Sequence, residues 1–408
     1  MKIAITIVIL AFLLLVIIES IYSWRKNKDL VRLNDTLSNL GIGVGSRIFG
    51  LFSKIFLLLV YVWMYENVSL FHIPFTWWSV VLCLILFDFL FYWAHRWGHE
   101  INFFWGAHSV HHQSEEYNLS VALRQSWIHD TLAFVIFLPI PLLGFDVVTF
   151  AIASSLDSFY QFWIHTRVIK KMPNWFEFIF NTPSHHRVHH GINPKYIDKN
   201  HAGVFIIWDK MFGTFQEEEE EPVYGITKQL KSWNPFWANV HYYIELFEIS
   251  KGFNSVKDKI KLVFSKPGWL PEELGGYKPV NSIHENPKYD ATANKLMMRY
   301  VIVQFVLILV GTVALLYHFE NLTIGYQLLS SFVILLSVGI CGAILENKPW
   351  IRIAEHIRLI VILLGLNSLY FSWYPNWSTI VLVLSVVGFV YFNIWFFLRA
   401  GETNKSVA

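Results

Sequence analysis

The chain has 408 residues, of which 54% are hydrophobic and only 15% charged, with a mean hydropathy of +0.42. Its net charge of +2, with no basic stripe interleaved with exposed aromatics, excludes a nucleic-acid-binding protein. Its two cysteines, Cys83 and Cys341, both lie in apolar runs and exclude a disulfide framework or a thiolate metal site.

A hydrocarbon core about 30 Å thick is crossed by roughly 20 apolar residues in a helix. The first such segment is residues 3–18. Its basic flank (Arg25, Lys26, Lys28, Arg32) follows it, and no small-residue cleavage site is present, so it reads as a retained anchor. Further spans are expected at 47–65 and 75–94. The apolar stretch 131–162 is interrupted by Pro139, Pro141 and Gly144, which predicts a helical hairpin turning within the membrane or at its far side. A polar region runs from His165 to Arg299 and includes the acidic run 217–221, expected to be a solvated loop. Four spans then follow, at 300–317, 324–345, 357–370 and 379–398.

The expected fold is therefore an all-α polytopic membrane protein in four parts. These are N-terminal membrane helices (1–74), a catalytic core (75–216), a cytosolic linker region (217–298) and C-terminal membrane helices (299–408). The connections sort by charge. Segments 67–74, 139–146, 319–323 and 372–377 contain no Lys or Arg, whereas the alternate ones carry Arg25, Arg96, Arg167, Lys170, Lys171, Lys348, Arg352, Arg358 and Arg399. The positive-inside bias assigns the second set to the cytosol. The dense histidine clusters fall on that side, capping the helix bundle.

Seventeen histidines are present, and they are unevenly placed. Three motifs concentrate them: His95-Arg96-Trp97-Gly98-His99, His108-Ser109-Val110-His111-His112 and His186-Arg187-Val188-His189-His190. Residues at i and i+3 or i+4 share a helix face, so each motif aims a pair of imidazoles at one point. The adjacent histidine of each HxxHH motif is rotated by about 100° and reaches a second point. A lone histidine near an interface is an ordinary anchor, but eight in metal-spaced motifs exceed what one ion needs. Two metal ions are the natural reading, and imidazole suits iron, zinc, copper and nickel.

His165 closes the hairpin on the same side and is a ninth expected ligand. His129, His185 and His201 are candidates to orient ligands through hydrogen bonds. His241 and His284 are weaker candidates, and His72, His318 and His356 read as ordinary.

These three motifs, in this order around a membrane hairpin, resemble the fatty acid hydroxylase/sterol desaturase superfamily. The resemblance covers about residues 75–214 and ends in Asn200-His201-Ala202-Gly203 and Trp208-Asp209-Lys210-Met211-Phe212-Gly213-Thr214. Within it the chain is similar to the alkylglycerol monooxygenase branch. That similarity rests on Tyr160-Gln161-Phe162-Trp163-Ile164-His165-Thr166, Asn181-Thr182-Pro183-Ser184-His185-His186, Tyr224-Gly225-Ile226-Thr227, Asn234-Pro235-Phe236-Trp237, Asn286-Pro287-Lys288-Tyr289-Asp290 and the additional C-terminal helices.

The resemblance implies a membrane di-iron monooxygenase that uses O₂ to hydroxylate a lipid C–H bond. Hydroxylation next to an ether oxygen would cleave an alkylglycerol to an aldehyde and a glycerol moiety, with tetrahydrobiopterin as reductant. The alternative within the superfamily is a sterol or fatty-acid desaturase or hydroxylase served by a separate redox protein. The absence of a dinucleotide fingerprint, a haem-attachment motif and an iron–sulfur cysteine set requires an external reductant in either case. The expected location is the endoplasmic reticulum in a eukaryote or the inner membrane in a bacterium. A zinc hydrolase would need a carboxylate base beside a histidine pair, for which Glu100, Glu115 and Glu116 are the candidates. A metal transporter would place its ligands at the bilayer midplane, inside the spans.

Overall fold

The computed structural model describes residues 2–282, 287–291, 293–373 and 375–400. These are mostly helical, and the extended pairings among them are two isolated bridges, Ile73 with Phe145 and Gly191 with Tyr224. Among the described residues, six helices are long and apolar enough to cross a membrane: Ile7–Arg25, Leu33–Asn67, Trp77–Glu100, Lys295–Asn321, Ile324–Leu345 and Ser378–Phe397. The chain is a multi-pass membrane protein. It divides into two compact units, Leu13–Leu230 with Trp237–Lys288, and Met1–Phe12 with Lys231–Phe236 and Tyr289–Ala408.

The larger unit is built on the part of α1 (Lys2–Arg25) from Leu13 onward, α2 (Leu33–Asn67), α3 (Trp77–Glu100) and α4 (Asn102–His112). α2 starts well before the expected residue 47, because Asn34, Asp35, Ser38 and Asn39 are buried rather than exposed. Asn39 Nδ2 donates to Asp35 Oδ2 at 2.9 Å and to Ser120 Oγ at 3.0 Å, and Ser114 Oγ donates to Asp35 Oδ2 at 2.6 Å. This satisfied polar network lets a polar stretch enter a helix. α3 opens on a capping box between Thr76 and Ser79.

The predicted hairpin is α5 (His129–Phe137), α6 (Pro139–Leu143) and α7 (Val147–Trp163). Its turn requires Gly144, which has φ +95°; a Cβ there would lie 1.8 Å from the Phe71 carbonyl oxygen. Ile73 N donates to the Gly144 carbonyl at 3.0 Å and Leu70 N to the Leu142 carbonyl at 2.7 Å. Two connections free of Lys and Arg are thus joined, as the charge sorting expects. α3 and α7 both start from this end and pack along a core that includes Cys83, Phe87 and Ala153. Their far ends deliver His95, His99 and His165 to one place.

Three short helices follow, α8 (Asn174–Ile179), α9 (Pro183–His189) and α10 (Ile207–Phe212). The region expected as a linker carries α11 (Pro235–Lys251) and α12 (Val256–Phe264), which are fastened to α4. Tyr242 Oη donates to Asn102 Oδ1 at 2.5 Å, Asn102 Nδ2 donates to the Leu262 carbonyl at 2.8 Å, and Tyr243 Oη donates to the Phe103 carbonyl at 3.0 Å. The acidic run is a loop, as expected, with Glu217, Glu219, Glu220 and Glu221 exposed, and it is tied to the core at two points. Glu218 accepts from Arg187 at 2.6 and 2.5 Å, and Asn193 Nδ2 donates to Glu220 Oε1 at 2.7 Å.

In the smaller unit α13 (Lys295–His318), α14 (Ile324–Leu345), α15 (Ile351–Trp373) and α16 (Ser378–Ala400) pack in sequence, and α16 returns to α13. α15 contains the expected span 357–370, and its first turns carry Arg352, Glu355 and Arg358.

Candidate metal centre

All nine expected ligands come together, in two groups. His95, His99, His108, His112 and His189 form one; His111, His165, His186 and His190 form the other. Within each group the ligand nitrogens lie within 4.8 Å of one another. The partition follows helix geometry. In each HxxHH motif the i, i+4 pair (His108 with His112, His186 with His190) joins one group and the intervening histidine (His111, His189) crosses to the other. The break at Ile101, which is extended, folds α4 back so that its pair meets His95 and His99 on α3. Gly98 permits this approach, since a Cβ there would lie 3.3 Å from the His108 ring. The groups adjoin, the His112 and His190 rings being stacked at 4.3 Å.

Backbone carbonyls fix four of the rings. Nδ1 of His95 lies 2.6 Å from the His201 carbonyl, that of His111 2.9 Å from Arg124, that of His165 2.7 Å from Gln161 and that of His189 2.9 Å from Lys199. A carbonyl only accepts, so each Nδ1 carries the proton and each Nε2 presents a lone pair. Yet His165 Nε2 stands 3.2 Å from His111 Nε2, with no proton on either to share. Two lone pairs so placed repel unless a cation lies between them. Nitrogens each about 2.1 Å from one ion, at right angles, stand about 3 Å apart. His99 Nε2, His189 Nε2 and His190 Nε2 are likewise buried without a hydrogen-bond partner. The donor set fits metal ions.

The site is buried, with each of the nine histidines between 2% and 7% exposed. Burial, reinforced by neighbouring imidazoles, pulls His108, His112, His165, His186 and His190 well below the usual histidine range. Burial lowers His111 to about 4 and His189 to about 3, although the carbonyl bond of each opposes the shift. All seven are neutral at physiological pH, the form a metal requires.

The three orienting candidates differ. His201 is fully buried with neither ring nitrogen partnered, its ring 5.1 Å from that of His99, and it gives its carbonyl to His95. The His129 ring lies 5.5 Å from that of His108. His185 turns away, its Nε2 4.0 Å from Glu177 and its ring against Phe215. His241 sits beside Gln113 at 3.4 Å, and His284 lies outside the described residues. Neither group contains a carboxylate. The three carboxylates expected for a hydrolase pair with cations, Glu100 with Arg96 and Lys266, Glu115 with Arg32, and Glu116 with Arg32, Arg167 and Lys288, whereas Asp198, not foreseen, stands 3.8 Å from His99 Nδ1.

Sequence reading misses the residues that hold these carbonyls in place. Asp209 accepts from the backbone N–H of His201 and of Ala202, each at 2.8 Å. Arg124 is buried and donates to the Val110 carbonyl, Gln113, Ser38 and Asn39. Arg187, inside the third motif, bridges Glu218 and the carbonyls of Thr166, Ile169 and Lys170. No spacing rule signals these roles, because each acts on backbone distant in sequence.

A family model described as fatty acid hydroxylase matches residues 80–214. The chain is 36% identical to an alkylglycerol monooxygenase of Homo sapiens, over 86% of this chain and 80% of that protein. It is 34% identical to one of Xenopus tropicalis, over 94% of this chain and 85% of the relative, and 34% identical to one of Danio rerio, over 86% and 80%. No solved structure matches.

Proposed function

This chain belongs to the alkylglycerol monooxygenase family, and on that footing we propose that its two histidine groups would hold a pair of iron ions and that the protein hydroxylates an ether lipid. Membership makes it a membrane-embedded oxidoreductase acting on lipid. The observation that carries the iron-pair reading is the division of nine buried imidazoles, four of them oriented by backbone carbonyls, into two adjoining groups. Bound there, iron supplies the activation of O₂ needed to attack an unactivated C–H bond.

The chain's own residues do the rest. The nine proposed ligands are His95, His99, His108, His111, His112, His165, His186, His189 and His190. His201, Arg124, Gln161 and Lys199 orient ligand rings through their carbonyls. Burial excludes water from the reacting carbon. The apolar faces of α3 and α7, which end at the histidines, form the route for an alkyl chain out of the bilayer. Hydroxylation beside the ether oxygen consumes O₂, two electrons and two protons, puts one oxygen atom into the C–H bond and releases the other as water. The hemiacetal formed then breaks to an aldehyde and a glycerol moiety.

Residues 75–216 form the catalytic core of this proposal, the family match at 80–214 supporting it. The reductant is external, and tetrahydrobiopterin is proposed because of the family, a redox protein being the other source. The charge bias of the loops supports a cytosolic site, in the endoplasmic reticulum of a eukaryote or the inner membrane of a bacterium. The test is to incubate purified enzyme with an alkylglycerol and O₂, with and without tetrahydrobiopterin, and identify products by mass spectrometry. Pterin-dependent fatty aldehyde is expected. Products that are hydroxylated sterol or desaturated acyl chain, with the ether intact, would contradict the substrate assignment.

A further inference from the structure

α12 is a nine-residue helix with apolar residues on two opposite sides. Its inward residue, Leu262, is 2% exposed and packs with Leu246 and Phe253. Outward stand Val256, Ile260 and Phe264, which are 71%, 57% and 65% exposed. Their i, i+4, i+8 spacing makes them one stripe. Lys257, Lys259 and Lys261 flank it, and Asp258 is the single acidic residue of the helix. Scattered exposed apolar residues are ordinary. Three on one stripe, opposite a buried face and edged by lysines, have the composition of a helix that lies in a membrane interface.

The position of α12 agrees. The Asn102 side chain donates to the Leu262 carbonyl at 2.8 Å, and the Asn102 backbone N–H donates to the Ser265 carbonyl at 2.9 Å. Asn102 follows the last residue of α3, a membrane span, by only two positions. The helix is therefore fastened at the level where α3 leaves the bilayer. α11 repeats the apolar stripe but not the lysines, with Val240, Ile244 and Phe247 exposed on one face at 45%, 43% and 62% beside Glu245 and Glu248.

We propose that α12 rests on the bilayer, its stripe sunk to the boundary of headgroups and acyl chains and its lysines on anionic lipid. The occupant is lipid and not a soluble partner because the stripe is tethered at the end of a span and bordered by cations. The helix then braces α4, and with it His108, His111 and His112, against the membrane from which substrate arrives. The inference rests on the multi-pass placement and is independent of the iron reading.

The test uses the full chain reconstituted in phosphatidylcholine–phosphatidylglycerol vesicles. An environment-sensitive fluorophore is attached to Ile260→Cys or, as an aqueous control, to Glu219→Cys in the acidic run; native Cys83 and Cys341 are buried. Nitroxide-bearing lipid should quench the label at 260 about threefold more than the label at 219, and aqueous iodide should show the reverse order. Adding Lys257→Glu and Lys259→Glu should lower lipid quenching at 260 to the level seen in pure phosphatidylcholine. Equal quenching at the two positions, or shielding of 260 that appears only when a soluble protein is added, would overturn the proposal. Because the readout is position and not turnover, it stands whatever metal the site holds.

Discussion

Arg124 acts on the histidine groups from behind. Its carbonyl accepts from His111 Nδ1, and its buried guanidinium is held by Val110, Gln113, Ser38 and Asn39. Lysine keeps the charge but not the planar fork of donors. Arg124→Lys should therefore weaken metal binding by about 10- to 100-fold, the usual cost of losing an orienting partner. Metal titration of the stripped protein checks this, and wild-type affinity would show that Arg124 is packing alone. Acid acts on the same rings. His111 and His189 titrate near 4 and near 3 in the fold, against 6.5 ordinarily. Between those values the unfolded chain binds more protons than the folded one, so stability rises with pH there. Thermal unfolding of the metal-free protein should be level above about pH 7 and should fall as pH drops from 6.5 toward 4. A profile flat down to pH 4 would mean that these rings are already charged or solvated.

At the scale of elements, the three motifs were legible because helical spacing alone puts paired imidazoles on one face. The division into two groups needed the break at Ile101 and the crossing of His111 and His189, which tertiary packing decides. The early start of α2 was hidden for a related reason, since Asp35 and Asn39 look like loop residues until Ser114 and Ser120 meet them. Arg187 and Glu218, 31 positions apart, could not be paired from composition. The hairpin was legible in Pro139, Pro141 and Gly144, and it carries a sharp prediction. Gly144→Ala must accommodate both a left-handed backbone and a Cβ at 1.8 Å from Phe71 O. It should destabilise the protein by about 3 kcal/mol or more, read as earlier thermal unfolding in detergent. An unchanged midpoint would mean that the hairpin turn is shaped differently.

The whole molecule adds a second unit that contributes none of the nine histidines. Its helices α13–α16 enclose a buried polar cluster in which Arg358 donates to Glu355 at 2.6 and 2.7 Å, to Gln304 at 2.8 Å and to Ser337 at 3.1 Å, while Tyr300 donates to Glu355. Glu355→Gln strands the guanidinium and should cost about 3–5 kcal/mol. Arg358→Met in the same chain should restore much of that loss, and a double variant as unstable as the single one would refute the pairing.

The central claim, that the two histidine groups hold an iron pair used for oxygenation, is met most directly by metal analysis of the purified active enzyme. About two iron per chain are expected, lost together with O₂-dependent turnover in His111→Ala or His189→Ala. Full activity with zinc alone and no O₂ consumed would contradict it.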